Sequence, residues 1–317
     1  MRDLFSKKII FIGGKGGVGK STTAAAFALL CAKKGERTLL VSTDPAHNVG
    51  DIFHMKVGGK IKKVSTNLFA YEIDPEKETK KYMNSVKENL RGMIKTSLMD
   101  EVHRQIDTAA ATPGADEAAI FDTISSIILE EQDHFDKIIF DTAPTGHTIR
   151  LLSLPELMGV WIDGMIERRK KINTNYSQLL NDGEPVEDPL YETLQKRRQK
   201  FANVREVLLN SQLTGFAFVL IPERLPILET EKAIELLAKY HLQVETLFLN
   251  KVLPATADGS FLEKRRTIEK QYLALIRTKF KDQNLIKIPL FEEDIANVNA
   301  LDVFASWIVE SSEKNIV

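Results

Sequence analysis

Residues 13–23, Gly13-Gly14-Lys15-Gly16-Gly17-Val18-Gly19-Lys20-Ser21-Thr22-Thr23, constrain this chain more than any other stretch. The apolar run Ile9-Ile10-Phe11-Ile12 leads in and an alanine-rich segment at 24–30 leads out, so the order is strand, glycine loop, helix. From Gly14 the pattern GxxxxGK[ST] is complete, closing on Gly19-Lys20-Ser21. Each residue type has a chemical reason. Backbone N–H groups can wrap a triphosphate only where no Cβ blocks the approach, which accounts for Gly14, Gly16, Gly17 and Gly19. The helix beginning near Gly19 aims its positive end at the phosphates. Lys20 brings a full charge to the β- and γ-phosphates, and the Ser21 hydroxyl can bind Mg²⁺. The expected fold is α/β: a mostly parallel, twisted sheet flanked by helices around a phosphate loop.

Two acids mark the ends of later strands. Residues 37–42 read as a strand that runs into Asp44 and is stopped by Pro45. Ligands of open parallel sheets sit at such carboxyl ends, so topology puts Asp44 near the phosphates. Its bland alternative is a cap on the short helix that follows. The buried-type strand Lys137-Ile138-Ile139-Phe140-Asp141 also ends in an acid, and downstream of a phosphate loop this suits a Mg²⁺-organising carboxylate. The segment 142–150, with Pro144 and Gly146, reads as a shaped loop able to sense a γ-phosphate. His147 within it reads as a structural histidine rather than a general base.

The remaining strands are expected at 68–74, 216–221, 244–250 and 285–288, with Pro226 opening a helix through Lys239 and a last helix at 298–310. The first eight residues read as leading straight into a strand, not as a signal peptide. Residues 76–131 and 156–212 read mainly as helix. The chain of 317 residues is therefore expected to be one domain, 1–317, carrying a helical subdomain inserted at those two places. Met83, Met93, Met99, Met158 and Met165 fall in the insertions; packing between helices or a sulfur-lined client groove would each explain them.

Composition narrows the partners. A net charge of −1 gives no bulk pull toward nucleic acid or anionic membrane, so no nucleic acid is expected. No stretch approaches the roughly 18 apolar residues that a transmembrane segment needs. Cys31 is the only cysteine, which excludes an intrachain disulfide and suits a cytoplasmic protein. It lies four residues after Phe27 and reads as a small core residue.

Lys15 exceeds what the basic loop pattern requires. With it, the loop resembles the deviant phosphate-loop ATPases, KGGxGK[ST]. Three stretches together, GGKGGVGKSTTAAAFAL at 13–29, STDPAHNVGDIF at 42–53 and DTAPTGHTIRLLSLP at 141–155, resemble the arsenical pump-driving and tail-anchored-protein-targeting ATPase family. The resemblance covers most of the chain, the helical insertions being its loosest part. It implies an ATPase that binds ATP and Mg²⁺ and works as a homodimer on a hydrophobic client or a membrane-protein partner. Lys15 would cross to the nucleotide of the other subunit. Gly16, Gly17, Gly19, Lys20, Ser21 and Thr22 would hold phosphates, with Ser21 also on Mg²⁺. Asp44 would position the attacking water, with Asn48 close by. Asp141 would support Mg²⁺ through water, and 142–150 would form a second switch. Asn250 would read adenine, and Pro289 and Phe291 would line the base pocket.

Departures from the family pattern matter as well. The eukaryotic targeting members hold zinc between subunits with a CxxC pair; here the corresponding region reads Gly259-Ser260-Phe261-Leu262. Trivalent arsenic needs several thiolates, which one cysteine per chain cannot supply, so arsenite stimulation is not expected. Two other readings stay open: a nucleotide-gated partner-binding switch of the partition type with little turnover, and a small-molecule kinase or ligase on the same loop.

Overall fold

In the computed structural model, the residues described are 2–44, 48–90, 104, 106–108, 114–142, 145–180 and 188–314. Eight strands build one sheet: β1 (Ile9–Gly14), β2 (Thr38–Ser42), β3 (Lys62–Ser65), β4 (Leu68–Glu72), β5 (Lys137–Asp141), β6 (Thr214–Leu220), β7 (Val244–Val252) and β8 (Asn284–Pro289). Their order is β3-β4-β2-β5-β1-β6-β7-β8. Every pairing is parallel except β3 with β4. β1, β2, β5 and β6 are buried at every position, as strands covered on both faces must be. After β1 the chain crosses to β2 on one side, while β6 lies on β1's other flank. The carboxyl end of β1 is thus where the strand order reverses, the usual ligand crevice of such sheets.

The helices among the described residues are α1 (Arg2–Ser6), α2 (Lys20–Lys33), α3 (Asn48–Ile52), α4 (Pro75–Leu90), α5 (Ala115–Ser126), α6 (Thr145–Leu180), α7 (Pro189–Leu209), α8 (Arg224–Lys239), α9 (Ser260–Lys279) and α10 (Val298–Lys314). A π turn, Ile127–Glu131, follows α5. No helix is long and apolar enough to cross a membrane among these residues.

The chain divides into two units. The first holds residues 1–74, 130–150 and 208–317, and contains the whole sheet. Its core follows from strand alternation: Ile10 and Ile12 of β1 face the small side chains of α2, so that helix lies close on the sheet. Phe27 of α2 stacks on Phe5 with centroids 4.6 Å apart and meets Phe248 edge-on at 6.4 Å. Phe11, pointing the other way, stacks between Phe140 at 4.6 Å and Phe216 at 5.3 Å. Cys31 is fully buried within the α2 layer.

The second unit holds residues 75–129 and 151–207, and its described residues are mainly helical. Ile162, Ile166, Leu194, Phe201 and Val204 are buried in it, and Phe121 packs on Phe201 with centroids 5.5 Å apart. Lys200 bonds Asp122 at 2.8 Å, and Arg197 lies over the Tyr82 ring while donating to its hydroxyl. Met83, Met158 and Met165 are half-buried in this unit; Met93 and Met99 lie outside the described residues.

Several sequence expectations need correction. A short helix, α1, precedes β1 where the chain was expected to enter a strand directly; Leu4 and Phe5 anchor it to the core. The antiparallel edge strand β3 was not foreseen. α8 begins two residues before Pro226, and Gly146 stands in the first turn of a helix rather than in a loop. Residues 45–47, 111–113, 143–144 and 181–187, which carry parts of the expected switches and turns, lie outside the described residues.

Candidate nucleotide site

The glycine loop leaves β1 under tight steric control. At Gly14, φ is +148° and a Cβ would sit 2.4 Å from the Val219 carbonyl oxygen of β6. At Gly19, φ is +96° and a Cβ would sit 2.4 Å from Nδ2 of Asn250. Both positions combine a backbone that side chains resist with a contact they cannot fit. Gly19 also caps α2. No side chain satisfies the first N–H groups of that helix and no acid lies in its first turn, so its positive end is left uncompensated.

Three cations surround this end. Lys20 is almost wholly buried, and its Nζ donates a long bond, 3.4 Å, to the Lys15 carbonyl. Lys15 pairs with Glu229 of α8 at 2.7 Å. Lys251 donates to the Gly17 carbonyl at 3.2 Å from a backbone with φ of +55°. Beside it, Asn250 is buried. Its Nδ2 donates to Val18 O at 2.9 Å, and its Oδ1 accepts from the Lys251 N–H at 2.9 Å. The amide keeps one N–H and one lone pair for a further partner.

The ends of β1, β2 and β5 are laced together. The Thr142 N–H and hydroxyl both donate to Ile12 O, at 3.1 and 2.9 Å, and the Thr43 N–H donates to Asp141 O at 2.9 Å. Asp141 faces Ile12 on one side and Ser42 on the other in strand register. Its side chain is fully buried, and neither carboxylate oxygen has a hydrogen-bond partner among the described residues. Burial pushes its pKa up to about 7; Ser21 and Lys20 act against that, Asp44 adds to it and Ser42 lowers it.

Four expected or neighbouring polar residues, Ser21, Lys20, Asp44 and Ser42, therefore stand around one buried carboxyl. A pair of orphaned acid oxygens beside a serine hydroxyl at the end of a phosphate loop fits a hydrated divalent cation. Asp44 is half-buried, with its N–H on Ser42 Oγ at 3.3 Å. Thr22 lies in the first turn of α2, next to Ser21. Asn48 begins α3; its side chain, like that of His147, lies outside the described residues.

Pro289 ends β8 opposite Val252, two residues beyond Asn250. Phe291 stacks on Phe304 of α10 at 5.6 Å, so its ring is already tied to the core. A cavity of about 780 Å³ lies against Gly50, His54, Met55, Glu72 and Ile295, and none of its lining belongs to the glycine loop. Sequence reading missed Glu229 and Lys251. Glu229 looks like any helix-surface acid. Lys251 could have been suspected from its place directly after Asn250.

Comparison with known proteins follows the same line. The family model described as anion-transporting ATPase matches residues 7–310. A protein of Aquifex aeolicus (strain VF5) with the provisional name arsenical pump-driving ATPase 2 is 33% identical over 301 residues, covering 95% of this chain and 99% of its own. The ATPase ASNA1 homolog of Entamoeba dispar is 32% identical, covering 94% and 92%. ATPase get3 of Botryotinia fuckeliana is 32% identical, covering 97% and 91%.

Proposed function

The chain belongs to the anion-transporting ATPase family, and from that premise we propose that it hydrolyses ATP with Mg²⁺ to drive the opening and closing of a homodimer. The observation that carries the reading is the buried, unpartnered Asp141 carboxyl beside Lys20 and Ser21 at the mouth of the glycine loop. Ser21 and, through water, Asp141 would hold the metal. Bound Mg²⁺ supplies charge neutralisation on the phosphate oxygens.

The glycine-loop N–H groups and Thr22 orient the triphosphate, Asn250 and the Pro289–Phe291 wall take the base, and Asn48 lies at the edge of the site. Asp44 accepts a hydrogen bond from water and aligns it with the bond to the leaving ADP. The water oxygen bonds to the γ-phosphorus, the bridging oxygen leaves with ADP, and the proton departs on phosphate. Lys20 and the second subunit's Lys15 offset the charge on the transferring group.

Release of phosphate relaxes residues 43–50 and 142–150. Along the chain these lead into the segments 76–131 and 156–212, which would act on a hydrophobic client or a membrane-protein partner. A single buried cysteine argues for a cytoplasmic setting and against a thiolate site for arsenite.

Sizing the protein with Mg²⁺ and a slowly hydrolysed ATP analogue tests this. A nucleotide-dependent shift to a dimer is expected; an unchanged particle, with and without the analogue, contradicts the cycle.

A further inference from the structure

The N-cap of α8, Glu223, and two glutamates within the helix, Glu229 and Glu231, do different things. Glu223, at its cap, accepts from Arg265 at 2.5 Å, and Glu231 pairs with Lys279, so both tie α8 to α9. Glu229 reaches the other way. Its carboxylate holds the ammonium of Lys15, 2.7 Å away, in the middle of the glycine loop.

The loop around Lys15 is open on its far side. A Cβ at Gly16 or Gly17, the two residues that follow it, would meet nothing within 4 Å. The Lys15 side chain is directed at α8 and ends on the Glu229 carboxylate. An ammonium neutralised by a carboxylate of its own chain is a weaker partner for a phosphate bound in another copy.

We propose that Glu229 is a positioning residue for Lys15: it parks the lysine on its own subunit and yields it when two nucleotide-loaded subunits pair. The proposal rests on the cross-subunit role of Lys15 put forward above. The strength of the pair suits the task. Its side chains are 32% and 44% exposed, so solvent weakens the attraction and the bias amounts to about two- to fivefold in population. A triphosphate, with several charged oxygens, outcompetes one half-exposed carboxylate. Glu229 therefore raises the threshold for pairing without blocking it, and discourages association of empty subunits.

Sedimentation with Mg²⁺ and a slowly hydrolysed ATP analogue, together with phosphate release from ATP, tests this in wild type, Glu229→Gln, Glu229→Asp, Lys15→Ala and the Lys15→Ala/Glu229→Gln double variant. Glu229→Gln is expected to associate at about two- to fivefold lower subunit concentration than wild type. Glu229→Asp, which keeps the charge on a shorter arm, falls between the two, and the double variant matches Lys15→Ala. A general loss of structure at α8 would move the double variant away from Lys15→Ala and would not be relieved by Asp. Association of Glu229→Gln identical to wild type overturns the parking role, as does a shift that persists without Lys15. Either result leaves the cross-subunit lysine standing. Wild-type association and turnover in Lys15→Ala overturns both.

Discussion

Asn250 donates its side-chain amide to the backbone carbonyl of Val18, 2.9 Å away, and so braces the glycine loop from β7, two strands along from β1. The same side chain accepts the Lys251 N–H, and its Nδ2 occupies the space that a Cβ at Gly19 would need. One residue thus shapes the phosphate loop and stands where the base is expected.

Replacing Asn250 by Ala leaves the Val18 carbonyl without its side-chain donor in a buried setting and removes the part-buried acceptor of the Lys251 N–H. The expected cost is about 1–3 kcal/mol in unfolding free energy, read from denaturant titration. ATP affinity falls with it, read by calorimetry. A residue serving only to read the base would change the second measurement and not the first.

Gly14 and Gly16 separate fold from cradle. Gly14→Ala forces a Cβ against the Val219 carbonyl at positive φ, so the melting temperature drops sharply whatever the ligand. A Cβ at Gly16 meets no protein atom within 4 Å. Gly16→Ala should melt within about 2 °C of wild type yet bind ATP at least about tenfold more weakly, because the methyl group enters the phosphate path. Unaltered ATP binding in Gly16→Ala would remove that residue from the cradle.

Asp141 sets a pH dependence. Its folded pKa, about 7, lies above the ordinary 3.8, so the native state favours the neutral acid. The stability this confers is complete below about pH 4 and is lost as the pH rises through 7. Asp141→Asn, neutral throughout, should therefore gain on nucleotide-free wild type as the pH rises from 5 to 8.5. The advantage reaches a few kcal/mol in thermal or denaturant unfolding. Mg·ATP should reverse the order by stabilising wild type more than the variant. Parallel pH curves for the two proteins would contradict the buried ionisation.

Cys31 should be inert. Burial, with Glu36 adding to it, pushes its thiol up to about 12, so almost no thiolate exists near neutral pH. No thiol should react with a chromogenic disulfide in the native protein, and one per chain after denaturation. Arsenite should leave ATP turnover unchanged. Rapid native labelling would show that the α2 layer opens.

The parts of this fold that were legible in sequence are those with a strong local signal. β1, β2 and β5 are unbroken apolar runs because both faces of the sheet are covered. β3 gave no such signal: Lys62 and Lys63 are exposed at the edge, where charge deters further pairing. α1 spans five residues, too few for a helical period, and its hold on the core comes from Phe5 meeting Phe27, a tertiary contact. Within the site, Lys20, Ser21 and Asp141 could be named because a fixed spacing and a strand end place them. The Glu229–Lys15 and Lys251–Gly17 contacts join residues 214 and 234 positions apart, and no local pattern announces such pairs.

Asp44 carries the central claim, since a phosphate loop that turns over ATP needs a group to orient water as well as a grip on the triphosphate. Calorimetry with Mg·ATP and phosphate release, run side by side on wild type and Asp44→Asn, give the most direct test. The account predicts binding within about threefold of wild type and turnover reduced at least about a hundredfold in the variant. Unchanged turnover in Asp44→Asn, or no heat when wild type meets Mg·ATP, would contradict it.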